Sequence, residues 1–77
     1  MPRYFFHVHE ADGVVEDSEG IDFPDAAAAR TEAILAARSI MAEYIRKGED
    51  VSGWSFEIAD GSDWPIMSVP FSEAVRR

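Results

Sequence analysis

Short apolar runs near the two ends of this 77-residue chain flank a longer segment with helical periodicity. Residues 4–9 are aromatic and β-branched, end at a turn signal (residues 11–13) and precede a short return strand at Val14 and Val15, which predicts a β-hairpin. Residues 54–58 alternate apolar and polar with a period of two, and a turn cluster at 60–63 separates them from a partner strand at 66–69. Pro70 places this last strand at an end or an edge of a sheet, and residues 71–75 are expected to form a final helical turn.

Between the hairpins, residues 26–47 contain no Gly or Pro and favour a helix. Asp25 is the expected N-cap, and Gly48 is the expected stop. The apolar side of the helix is nearly all alanine in its first half, which permits close packing on a sheet: Ala29, Ala33, Ala36, Ala37, Ile40, Met41, Tyr44 and Ile45. The sequence therefore predicts one α+β domain over residues 1–77, with element order β-β-α-β-β. A small antiparallel sheet of three to four strands carries the long helix on one face.

The charge balance narrows the classes of partner. Fifteen Asp and Glu against seven Lys and Arg give a formal net charge of −8, which disfavours nucleic acids and anionic membranes as partners. The chain has no cysteine and no apolar run of membrane-spanning length, so a cytoplasmic location is expected. Residues 10–25 are strongly acidic, which is typical of a solvated loop. The alternative is that this acidic chain is a regulator, similar to an antitoxin, that binds the basic surface of another protein.

Histidine chemistry is the first candidate for a site. His7 and His9 are spaced to lie on one face of a strand, next to Phe5, while Tyr4, Phe6 and Val8 face the helix. Strand alternation places Glu57 and Ser68 on the same open face. Two imidazoles and a carboxylate at cross-strand distance predict a divalent metal site at His7, His9 and Glu57. The competing interpretation is that these side chains only supply the polar surface of an uncovered sheet.

No catalytic motif is present. The sequence has no cysteine nucleophile, no serine nucleophile elbow, no zinc-protease helix motif and no phosphate-binding glycine loop. We therefore expect a protein that is not an enzyme and that needs no cofactor. The open sheet face, an outer strand and the apolar carboxy-terminal run favour a protein-interaction or homodimerisation module, with Phe5, Leu35, Ser68 and Phe71 as the expected contact residues.

Several motifs together resemble a known family of small bacterial proteins. They are the opening run RYFFHVH at residues 3–9, the turn Asp17-x-Glu19-Gly20, the helix start at residues 23–25 and the closing run VPFSEA at 69–74. The family is catalogued as domain of unknown function 6894. The resemblance implies bacterial origin and a stand-alone domain. It implies no activity and transfers no catalytic or binding residue.

Overall fold

The computed structural model describes residues 1–75, so the last two residues of the predicted domain lie outside the described part. The chain folds as α+β, in the predicted order of strands, helix and strands. The elements are β1 (Arg3–His9), β2 (Val14–Val15), β3 (Ile21–Asp22), α1 (Ala26–Arg46), β4 (Ser55–Ala59), β5 (Pro65–Pro70) and a 3₁₀ turn (Phe71–Ala74).

The strands form one antiparallel sheet in the order β2-β1-β4-β5, and β3 also pairs with β1. The sheet has five strands rather than three to four, because the return strand of the first hairpin is split. β2 pairs with the end of β1 at Val8 and His9, and β3 pairs with its beginning at Arg3 and Tyr4. Residues 16–20 bulge out between these two short strands, and this excursion is the departure from the predicted hairpin.

The helix begins and packs as its sequence predicts. The Asp25 carboxylate accepts the backbone N–H of Ala28 at 2.9 Å, which caps the first turn. The residues that α1 buries most deeply are Ala29, Ala33, Ala37 and Met41. Ile45 is predicted on the side of the helix that packs on the sheet but is 61% exposed. The buried surface of the helix is therefore narrower near its carboxy-terminal end. Among residues 1–75, no helix combines the length and the apolar content that crossing a membrane requires.

The 3₁₀ turn closes the core from the carboxy-terminal side. The side chain of Phe71 is fully buried, and its ring lies 5.1 Å from that of Phe56 and 6.1 Å from that of Trp54. The prediction that Phe71 is a surface contact residue is therefore wrong. The chain bends into the 3₁₀ turn after Pro70, and the Arg38 guanidinium donates to the Ala74 carbonyl at 2.7 Å, which ties the turn to α1.

Candidate interaction surfaces

A row of polar residues crosses the sheet on the face away from α1. His7 lies opposite Glu57, and Glu57 lies opposite Ser68 on the next strand. Directly paired residues point to the same face of a sheet. The sequence pattern had grouped these three residues in this way, together with Phe5 and His9 from β1.

This face is covered at its centre. His7 is only 6% exposed, because the loop of residues 16–20 approaches it from one side and the β4–β5 turn from the other. Its Nδ1 accepts the backbone N–H of Asp17 at 3.0 Å, and its Nε2 lies 3.2 Å from the Asp63 carboxylate. A ring nitrogen that accepts an N–H carries no proton, so the neutral ring has its proton on Nε2 and donates it to Asp63. The metal-site hypothesis and the polar-surface interpretation of His7 both assume an uncovered sheet face, and that assumption is wrong.

Asp17 is the residue that holds the covering loop in place. Its carboxylate accepts three backbone N–H groups, from Phe6, Glu19 and Gly20, at 3.1 Å each. Partial burial acts to raise the pKa of Asp17, but the three amide donors, with a smaller contribution from nearby His7, outweigh it and lower that pKa below 3.8. The loop is therefore an ordered part of the site, although its composition predicts a solvated segment.

Gly20 allows the loop to approach β1 closely. Its φ is +71°, a backbone conformation that residues with a side chain rarely adopt. A Cβ atom at this position would lie 2.8 Å from the Arg3 side chain and 2.9 Å from the Phe5 ring. The sequence carries a local signal for this turn, since an aspartate followed three residues later by a glycine is typical of a turn that a side chain stabilises.

This geometry separates His7 from the other two predicted metal ligands, His9 and Glu57. His9 Nε2 lies 2.9 Å from the Glu57 carboxylate, and both side chains are partly exposed. His7 has both ring nitrogens occupied by Asp17 and Asp63. Within residues 1–75 there is no group of three or more His, Cys, Asp or Glu side chains that could hold a metal ion. The His9–Glu57 pair is what remains of the predicted arrangement.

The residues predicted as contact points do not form one patch. Phe5 and Ser68 lie on the sheet face away from α1, with Ser68 exposed and Phe5 half-buried under Gly20. Leu35 is 49% exposed on α1 and so belongs to the other layer of the molecule.

The two edges of the sheet differ in charge. β5 forms one edge, and it lies within residues 64–72, the longest stretch of the chain without a charged residue. Two apolar side chains are exposed at its beginning, Trp64 at 69% and Ile66 at 39%. The opposite edge, formed by β2 and β3, belongs to residues 10–25, which contain seven Asp and Glu and no Lys or Arg.

Comparison with known proteins gives a family but no activity. A family model described as a domain of unknown function, DUF6894, matches residues 3–72. No curated protein and no solved structure matches the chain.

Proposed function

This chain belongs to the DUF6894 family of domains of unknown function, and on that premise we propose that it is a non-enzymatic interaction module that forms a homodimer. The dimer forms by antiparallel pairing of β5 with β5 of a second copy, which joins two sheets into one. We place this module in the cytoplasm, because its chain contains no cysteine and so lacks the disulfide bonds that stabilise many small secreted domains.

The observation that supports this proposal is the uncharged edge strand. A strand at the edge of a sheet presents unpaired backbone N–H and C=O groups and can pair with another chain. Proteins commonly protect such edges with charged side chains, bulges or proline. β5 has proline at both ends and a register shift opposite Ile58 and Ala59, but no charge along its length.

The distribution of charge supports a second copy as the partner for this edge. Each copy carries a formal net charge of −8, so two copies repel each other wherever carboxylates meet. A two-fold axis through β5 brings together residues 64–72, which contain no carboxylate. The β2–β3 edge lacks this property, since its strands are two residues long and are interrupted by an acidic loop.

Exposed apolar side chains beside β5 supply contact area beyond the backbone pairing. In an antiparallel pair, the beginning of each strand lies beside the end of the other, so Trp64 of one copy approaches the Pro70 end of the second. Large apolar side chains contribute to an interface through the area that they remove from water. Trp64 and Ile66 are therefore expected to become buried on dimerisation.

Size-exclusion chromatography with light scattering tests the proposal. At high micromolar concentration we expect a mass twice the 8.6 kDa of the chain. Ile66→Lys places a charge on the edge strand and is expected to give a monomer. The matched control is Val15→Lys, an equally simple change of an exposed apolar residue on the opposite edge, which is expected to leave the dimer intact.

Hydrogen exchange provides a second measurement that does not depend on a variant. The outward-facing amides of β5 are expected to exchange more slowly as the protein concentration rises, whereas the amides of β2 are not. A wild-type monomer at high micromolar concentration, or a dimer that Val15→Lys disrupts and Ile66→Lys does not, would overturn the proposal. Circular dichroism confirms that each variant is folded.

A further inference from the structure

We propose that a notch at the β3 edge of the sheet binds one aliphatic side chain from a basic segment of another protein. The notch lies where the sheet and the helix separate and has a volume of about 140 Å³. Its lining comes from both layers: Phe6, Ile21 and Phe56 from the sheet, Ala36 and Glu32 from the helix, and Asp17 from the covering loop. This site is independent of the dimer edge, which lies on the far side of the sheet.

The walls of the notch suit an apolar side chain. Four of the lining side chains are hydrocarbon, and a cavity of about 150 Å³ lined in this way is large enough for benzene. Apolar surface continues outside the notch, because Ile21 is 51% exposed and Leu35 is 49% exposed. Leu35 follows Glu32 by three positions and therefore lies beside it on the helix surface. A side chain attached to a larger chain can use both the notch and this rim.

Charge around the notch specifies a basic partner. Glu32 is exposed and forms no ion pair among residues 1–75. Asp17 also lines the notch, and the segment of residues 10–25 that supplies it and Ile21 has seven carboxylates and no basic residue. Two arginines on the elements that line the notch already form ion pairs, Arg3 of β1 with Asp22 and Arg30 of α1 with Glu73. An aliphatic residue flanked by Lys or Arg complements both the walls and the rim.

Two synthetic peptides test this inference. The first is a capped pentapeptide with a central leucine between two pairs of lysines, and the second has serine in place of leucine and the same charge. We expect the leucine peptide to bind about tenfold more tightly, since burying a leucine side chain is worth at least one decade in affinity. Its binding should shift the NMR signals of Phe6, Ile21 and Ala36, and rising salt should weaken both peptides.

Variants of the protein locate the binding. Ala36→Leu fills the notch and is expected to remove the difference between the two peptides. The matched control is Ala42→Leu, which adds the same side chain to the exposed surface of the same helix and should preserve the difference. Glu32→Lys, an exposed change that does not enlarge a buried residue, should weaken both peptides by a similar factor.

The outcomes separate this inference from the proposed dimer. Ile66→Lys is expected to bind both peptides as the wild type does, whether or not the protein dimerises. Equal binding of the leucine and serine peptides to the wild type, no binding of either, or a leucine preference that survives Ala36→Leu would each overturn the inference. A preference that persists in wild type and Ala42→Leu but is absent in Ala36→Leu supports it.

Discussion

The Asp17 carboxylate accepts the backbone N–H of Phe6 at 3.1 Å, between the part of β1 that pairs with β3 and the part that pairs with β2. A side chain thus supplies the acceptor that an unbroken edge strand would have supplied from its backbone. The edge strand can therefore bulge outward over residues 16–20 while the amide of β1 remains satisfied. The loop that covers His7 therefore depends on the Asp17 carboxylate, which takes the place of a backbone acceptor.

Replacing Asp17 is expected to destabilise the whole domain. Asp17→Ala removes the acceptor of three backbone amides, and the part-buried amide of Phe6 is left without its partner. The free energy of unfolding should fall by about 1–3 kcal/mol, the cost of leaving such donors unsatisfied. Urea denaturation measures this loss. Glu16→Ala, one residue away and exposed, is the control and should change stability by less than about 0.5 kcal/mol. Equal effects of the two changes would contradict this role for Asp17.

The same carboxylate should make the stability of the protein depend on pH in the acidic range. The pKa of Asp17 is lowered in the folded chain below its ordinary value of 3.8, because its backbone donors outweigh the effect of partial burial. Folding therefore favours the ionised form, and its contribution is fully present above the unfolded pKa and is lost as the pH falls through the folded pKa. The stability difference between wild type and Asp17→Asn should thus shrink as the pH falls below about 4.

A second carboxylate must be separated from this acid effect. The pKa of Asp50 is also lowered, by hydrogen bonds from the backbone N–H and the hydroxyl of Ser52. Asp50 is exposed, so the pH dependence of the Asp50→Asn variant should stay close to that of the wild type. Denaturant titrations of both variants at several pH values make the comparison. A difference between wild type and Asp17→Asn that does not change with pH would argue against the linkage.

A glycine series should separate backbone strain from steric overlap. Gly20→Ala combines a φ of +71° with a Cβ position 2.8 Å from the Arg3 side chain, whereas Gly48→Ala has a φ of +85° and open space around it. Gly13→Ala has open space and no left-handed backbone. We expect Gly20→Ala to cost the most, Gly48→Ala about 1 kcal/mol, and Gly13→Ala nothing or a slight gain. Thermal and urea unfolding rank the three, and a Gly20→Ala cost no larger than that of Gly48→Ala would exclude the overlap.

The hydrogen bonds of His7 predict a single ring tautomer. Nδ1 accepts the amide of Asp17, so in the neutral ring the proton should reside on Nε2. Nitrogen-15 NMR of the histidine side chains distinguishes the two tautomers. Asp63→Ala should leave the tautomer unchanged, because the Asp63 side chain is 75% exposed and the Asp17 amide alone excludes a proton from Nδ1. An Nδ1-protonated neutral ring would show that the loop does not bond to His7 in solution.

The sequence predicts the regular elements better than the loops that define the surfaces. Helix α1 is determined by local signals, namely the Asp25 cap, the absence of Gly and Pro and the alanine stripe, so its bounds differ from the prediction by one residue. Strand alternation places His7 and Glu57 on one face correctly. The burial of His7 depends on contacts between residues far apart in sequence, with Asp17 from one loop and Asp63 from another. No periodicity reports such contacts, and Phe71 was misplaced for the same reason, since the bend after Pro70 turns its ring inward.

The alanine stripe of α1 leads to a final prediction about how closely the helix approaches the sheet. Ala33 has no exposed surface and lies in the middle of the stripe, so a larger side chain there has no free volume to occupy. Ala33→Leu should lower the free energy of unfolding by about 1–3 kcal/mol, because the helix and the sheet must separate to admit it. Ala27→Leu, on the exposed side of the same helix, should change stability by less than about 0.5 kcal/mol. Urea unfolding compares the two, and equal stability would mean that the layers are loosely packed at Ala33.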